Sequence, residues 1–168
     1  VELRRLPDRH WKWRMHGAAL SFAEGIEADY AAGRSWALIV APSLLDLSDL
    51  RARLSRTMEV PPLLFYVHET QFDYPLSPGE ARDAQYGFRN LVSILAADCA
   101  LFNSSSHRRR FFREAEQFVS HLPKPVPSRI VEEARRRSRV LYPGVEVPSE
   151  RGLGGRGGSP ESAGSTRK

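Results

Sequence analysis

The sequence predicts an α/β fold, a Rossmann-like parallel sheet flanked by helices, and three observations point to it. Leu63-Leu64-Phe65-Tyr66-Val67 is apolar at every position, the pattern of a strand covered on both faces in a parallel sheet. Comparable short runs recur at 36–40, 98–102 and 139–142. The stretches between them carry apolar residues at helical spacing, and strands alternating with helices imply right-handed crossovers and parallel pairing.

Taken in order, Val1-Glu2-Leu3 reads as the end of a strand with no helix before it. A doubly wound sheet normally opens with a strand, a glycine-containing turn and a helix. That first strand-helix unit is lacking, so the chain is expected to be a fragment. Residues 9–16 then interleave Trp11 and Trp13 with Lys12, Arg14, His10 and His16, on what reads as a loop. Aromatic and cationic groups mixed in this way stack on a base or sugar ring while meeting phosphate; the same groups also serve as plugs at a core edge.

A helix is predicted over 18–32, with Leu20, Phe22, Ala23, Ile26 and Tyr30 at helical spacing and Gly33 as its stop. After the strand at 36–40, Leu47, Leu50 and Leu54 form one stripe of a short helix over 46–54.

The strand at 63–67 empties into His68-Glu69-Thr70-Gln71. In an open parallel sheet, ligands bind beyond the carboxyl ends of the strands, which is where this order puts those side chains. An imidazole and a carboxylate there suit a sugar hydroxyl, a phosphate or a metal; they equally begin an ordinary solvated loop.

The next helix spans 81–97, with Phe88, Leu91, Val92 and Leu95 as its buried stripe. Gln85, Arg89 and Ser93 make a polar row beside that stripe, facing either the crevice or solvent. Asn103-Ser104-Ser105-Ser106-His107 follows the strand at 98–102. Small hydroxyl residues there cap a helix, whose free amides also attract an anion. The helix so capped continues over 111–119, and a further helix over 128–138 precedes the last strand. One domain over 1–146 is expected, followed by a disordered Gly/Ser/Arg-rich tail over 147–168.

The 168 residues, 41% of them hydrophobic, suffice for one sizeable core. A single cysteine, Cys99, excludes a disulfide framework and a Cys-rich zinc site, and suits a reducing cytoplasm. No apolar run approaches the length of a membrane span, so no membrane partner is expected. The net charge of +5 is a mild pointer to a polyanionic partner, and the runs Arg108-Arg109-Arg110 and Arg135-Arg136-Arg137 read as solvated helix faces.

Four stretches in order carry a resemblance: Lys12-Trp13-Arg14 after Pro7; Tyr66-Val67-His68-Glu69-Thr70-Gln71 with Tyr74-Pro75; Asp83-Ala84-Gln85-Tyr86-Gly87-Phe88; and Phe102-Asn103-Ser104. With the closing Leu141-Tyr142-Pro143-Gly144-Val145, they make the chain similar to the N-terminal domain of the tRNA-queuosine mannosyltransferases, a group related to the family 4 retaining glycosyltransferases.

The resemblance implies the N-terminal half of a two-domain GT-B enzyme that moves mannose from GDP-mannose onto the cyclopentenediol of queuosine in tRNA. It implies no metal and no cofactor beyond that donor substrate. By position, His68 matches a histidine beside the donor sugar, with Glu69 its neighbour, and these two are the expected catalytic residues. Trp11, Lys12, Trp13 and Arg14, with Gln71, Gln85, Tyr86, Asn103 and Ser104, are the expected substrate-binding residues. A retaining transfer passes through an oxocarbenium-like state in which the leaving phosphate takes the acceptor proton, so His68 is expected to position rather than to act as a base. Thr70 stands where the family pattern has Asn. The donor-binding domain lies outside this chain, which is therefore expected to be inactive alone. The alternative is a non-catalytic RNA-binding module that uses the arginine runs and the Trp-rich stretch.

Overall fold

In strand β2 (Leu63–Val67), Leu63, Phe65 and Val67 are fully buried, whereas Leu64 and Tyr66 between them are half-buried. The strand is thus covered completely on one face, not on two as its composition predicts. The cause lies in the topology. A computed structural model describes residues 1–7, 10–70, 72, 78–79, 83–122, 126–127 and 129–144, and in it β1 (Ile39–Pro42), β2, β3 (Cys99–Phe102) and β4 (Ser138–Val140) form one all-parallel sheet in chain order. Every connection steps the same way across this sheet, and right-handed crossovers then deliver all connecting helices to the same face.

That layer consists of α1 (Trp11–Ala31), α2 (Leu47–Leu54), α3 (Gln85–Ala96), α4 (Ser105–Ser120) and α5 (Arg129–Arg136), with α1 against α2, α2 against α3, and α3 against α5. The core between layer and sheet holds Leu47, Leu50, Leu54, Phe65, Leu91, Phe102, Phe111 and Phe112. Register puts Val40, Leu64 and Cys99 together on the other face, where Val40 is 59% exposed.

Helix α1 begins at Trp11, so Lys12-Trp13-Arg14 stands on a helix and not on the predicted loop. The reason is an apolar stripe that starts earlier than the composition suggests: Met15, Ala18, Ala19, Ala23 and Ile26 are all buried. Gly33, at φ 87°, follows the helix as predicted.

Val1-Glu2-Leu3 is not a strand. Glu2 and Arg4 are drawn instead to the far end of α1. Arg4 pairs with Asp29, and Glu2 Oε2 accepts from Arg34 Nη2 (2.9 Å) and Trp36 Nε1 (3.3 Å). The Trp36 bond, followed by Arg4 and Arg34, holds the Glu2 carboxyl below its ordinary range, and the Arg4 bond does the same for Asp29.

The remaining elements overlap their predicted places, with β1 two to three residues later than the run at 36–40; on α3 the buried side is Gly87, Asn90, Leu91, Ser93 and Ile94, and of the predicted stripe Phe88, Val92 and Leu95 are only half-buried. Asp46 caps α2, and Ser104 caps α4 by accepting from His107 N (3.1 Å), which starts α4 at Ser105. Pro42 ends β1, where an edge strand tolerates it. Residues 145–168, with the expected tail, lie outside the described residues.

Candidate functional site

Three strands release polar side chains at the same edge of the sheet. Ser43 follows β1, His68 follows β2 and Asn103 follows β3. Ser43 Oγ lies 3.0 Å from His68 Nδ1, and Asn103 Nδ2 donates to the His68 carbonyl (2.9 Å). Asn103 Oδ1 in turn lies 2.8 Å from His107 Nδ1. From the helix side, Asn90 Nδ2 donates to the Ser43 carbonyl (2.7 Å). One hydrogen-bonded chain therefore runs from α3 through the tips of β1, β2 and β3 to α4.

His68 itself is exposed, and its ring is held through Nδ1, which leaves Nε2 as the ring nitrogen for a ligand. Glu69 beside it is half-buried. Thr70 is buried, and its Oγ1 accepts from Phe72 N (3.2 Å), which tightens the turn after the His68-Glu69 pair. Gln71 lies outside the described residues. Ser104 Oγ is committed to its cap, and Ser105 Oγ lies 3.0 Å from the Tyr142 hydroxyl, tying the start of α4 to the segment after β4.

The other predicted substrate-binding residues gather on α1 and the start of α3. Trp13 is 78% exposed, and Arg14 Nη1 donates to the Pro7 carbonyl (2.7 Å). Trp11 and Lys12 are placed by backbone alone, as the first residues of α1. Gln85 is exposed at the first position of α3, its backbone N–H donating to Asp83 Oδ1 (3.0 Å). Tyr86 is half-buried, its ring 6.1 Å from that of His16. The Phe72 ring packs against Gly87, so the first turn of α3 admits no larger residue there without moving the ring.

Of the polar row on α3, Gln85 is exposed, whereas Arg89 and Ser93 turn toward α2. Arg89 Nη1 lies 2.6 Å from Asp46 Oδ2, and buried Ser93 Oγ accepts from Leu47 N (3.1 Å). Between the second turn of α1 and this junction is a hollow of about 10 Å³, lined by Met15, His16, Leu45, Asp46, Arg89 and Asn90. Neither Trp13 nor His68 lines it; Ser43 connects it to His68. Ser43, Asp46 and Asn90 are absent from the sequence-based candidates. Asn90 stands at helical spacing between Gly87 and Ile94 on the buried side of α3, and a polar residue at such a spacing is the one available signal.

The arginine runs are only partly solvated. Arg108 donates to Ser138 Oγ (2.8 Å) and to the Arg135 carbonyl (2.7 Å), and the Arg108 and Arg135 guanidinium groups lie 5.4 and 5.2 Å from the centre of the Phe112 ring. Burial, with Arg135 and Arg139 nearby, lowers the Arg108 pKa. Arg109 and Arg110 are exposed. Among the described residues no three His, Cys, Asp or Glu side chains converge as metal ligands would, and no helix is long and apolar enough to cross a membrane.

The sequence model of the family described as "tRNA-queuosine alpha-mannosyltransferase N-terminal" matches residues 1–145. The chain is also similar to a tRNA-queuosine alpha-mannosyltransferase of Drosophila melanogaster, 34% identical over 144 residues, which cover 84% of this chain and 36% of the fly protein. The chain thus spans little more than a third of that relative's length. No solved structure matches it significantly.

Proposed function

We propose, from the premise that this chain belongs to the tRNA-queuosine alpha-mannosyltransferase N-terminal family, that it forms the acceptor side of a GT-B enzyme that transfers mannose from GDP-mannose to queuosine in tRNA. The family match over residues 1–145 is the observation that carries this reading. The polar edge supports it, because an exposed imidazole held by Ser43 at a strand tip has the position and rigidity to orient a sugar or its acceptor.

In this reading His68 and Glu69 lie beside the transferred sugar, and Trp13 and Arg14, with Trp11 and Lys12, meet the modified nucleotide or its phosphates. Gln71, Gln85, Tyr86 and Asn103 complete the acceptor cleft. GDP-mannose is held by a further domain, so the chain alone transfers nothing, and it works in the cytoplasm where its tRNA resides.

Calorimetric titration of the chain against tRNA with and without queuosine tests this. Tighter binding of the queuosine-bearing tRNA is expected. Equal affinities, both falling steeply with salt, would replace the acceptor reading by that of a general RNA-binding module.

A further inference from the structure

Four of the six residues that line the hollow beside α1, His16, Asp46, Arg89 and Asn90, are polar or charged. Asn90 is 1% exposed, and its Nδ2 is fixed by the Ser43 carbonyl at 2.7 Å, which identifies Oδ1 as the acceptor end of the amide. That Oδ1 is buried and, among the described residues, has no hydrogen-bond partner. Beside it, Asp46 spends Oδ1 on Ser48 Oγ and Asp49 N, while Oδ2 stands 2.6 Å from Arg89 Nη1 without hydrogen-bond alignment. Leaving a buried acceptor unpaired is costly, so the lining calls for an occupant that donates.

Charge narrows the class of that occupant. A cation entering here would meet the Arg89 guanidinium. An anion would meet the Asp46 carboxylate and the lone pairs of Asn90 Oδ1. An apolar group would leave both oxygens unpaired. A neutral hydroxyl donates its one proton to Asn90 Oδ1 while accepting from Arg89, whose guanidinium already faces Asp46 Oδ2. A volume of about 10 Å³ admits one group the size of a water oxygen, with any ring that bears it left outside.

We propose that this hollow is a hydroxyl subsite for a neutral, polyhydroxylated ring, in which one hydroxyl donates to Asn90 Oδ1 and accepts from Arg89. The identity of the ring rests on the acceptor reading above, in which it is the vicinal diol of the modified nucleoside. The link to His68 is direct: Asn90 holds the carbonyl of Ser43, and the hydroxyl of Ser43 holds the His68 ring.

The test is an NMR titration of the full chain that follows the Asn90 side-chain amide, with cis-1,2-cyclopentanediol, cyclopentylamine and cyclopentanecarboxylate as probes. A saturable shift is expected with the diol alone, and in Asn90→Ala, followed at the backbone amide of Arg89, the dissociation constant should rise about tenfold. Equal shifts with all three probes, or none with the diol, would overturn the subsite and leave a bound water as its occupant. Because the unaltered chain gives the decisive reading, a variant that fails to fold does not blunt the test. Diol binding together with equal affinity for the two tRNAs would keep the subsite and remove the acceptor reading. Preference for queuosine-bearing tRNA with no diol response would do the reverse.

Discussion

Ser43 Oγ and His68 Nδ1 lie 3.0 Å apart, so the turn after β1 fixes the ring at the tip of β2. His68 is exposed, and one such hydrogen bond contributes only about 0.5–1.5 kcal/mol to stability. In an active full-length enzyme carrying this sequence as its N-terminal domain, His68→Ala is expected to lower kcat about a hundredfold, the scale of losing a positioning group. The melting temperature should fall by less than about 6 °C. A stability loss large enough to account for the lost turnover would reassign His68 to the fold.

Trp13 presents most of its indole to solvent and gives little to the core. Trp13→Ala is expected to weaken binding of queuosine-bearing tRNA by about tenfold or more, since stacking of a base on an aromatic ring contributes about 1–3 kcal/mol. The thermal midpoint should not move. Unchanged tRNA affinity in a titration would show that the indole makes no acceptor contact.

A Cβ at Gly87 would stand 2.4 Å from Phe72 Cδ1, and Phe72 is itself packed against Phe111 and Phe118. Overpacking of this kind costs about 1–3 kcal/mol, against at most about 1 kcal/mol gained by alanine's better helix propensity. Gly87→Ala should therefore destabilise by roughly 1–2 kcal/mol. Chemical denaturation decides the sign, and a more stable variant would mean that the Phe72 ring gives way freely.

Asp98 receives the Leu63 amide at 2.8 Å and pairs with Arg51 at 3.1 Å, and these, the amide first, hold its carboxyl below the usual 3.8. A carboxyl with a lowered folded pKa contributes stability above the unfolded value and loses it as pH falls through the folded one. Asp98→Asn should lower stability at neutral pH, and its deficit should shrink below about pH 3.8. Melts of both proteins across that range check this; a deficit independent of pH would assign the effect to lost hydrogen-bond geometry alone.

Asn103 bridges the His68 carbonyl and the His107 ring. Asn103→Ala should cost about 1–2 kcal/mol, because it leaves two groups without this partner. It should also lower turnover in the full-length enzyme by loosening the loop that carries His68. Unchanged turnover with lowered stability would confine Asn103 to holding the fold.

β2 and β3 were legible because each is apolar along its whole length, and short apolar runs between amphipathic stretches leave few other assignments. The start of α1 was not: two tryptophans among cations look like a binding loop, and only the spacing of Met15, Ala18 and Ala19 shows the helix beneath. One-sided cover of the sheet could not be read from β2, since it follows from strand order, a property of the whole chain. The catalytic-loop candidates were found through the resemblance and the strand-end rule. Ser43 and Asn90 are not legible as partners because they stand 47 residues apart, and the one local sign is a polar residue at the spacing of the buried Gly87 and Ile94.

The sheet's spatial order copies the order of synthesis. Among the described strands, each one after β1 meets a neighbour already made as it leaves the ribosome, so pairing can proceed outward from β1. Separation along the chain between mating strands stays modest, which keeps the entropic toll of loop closure low at every addition.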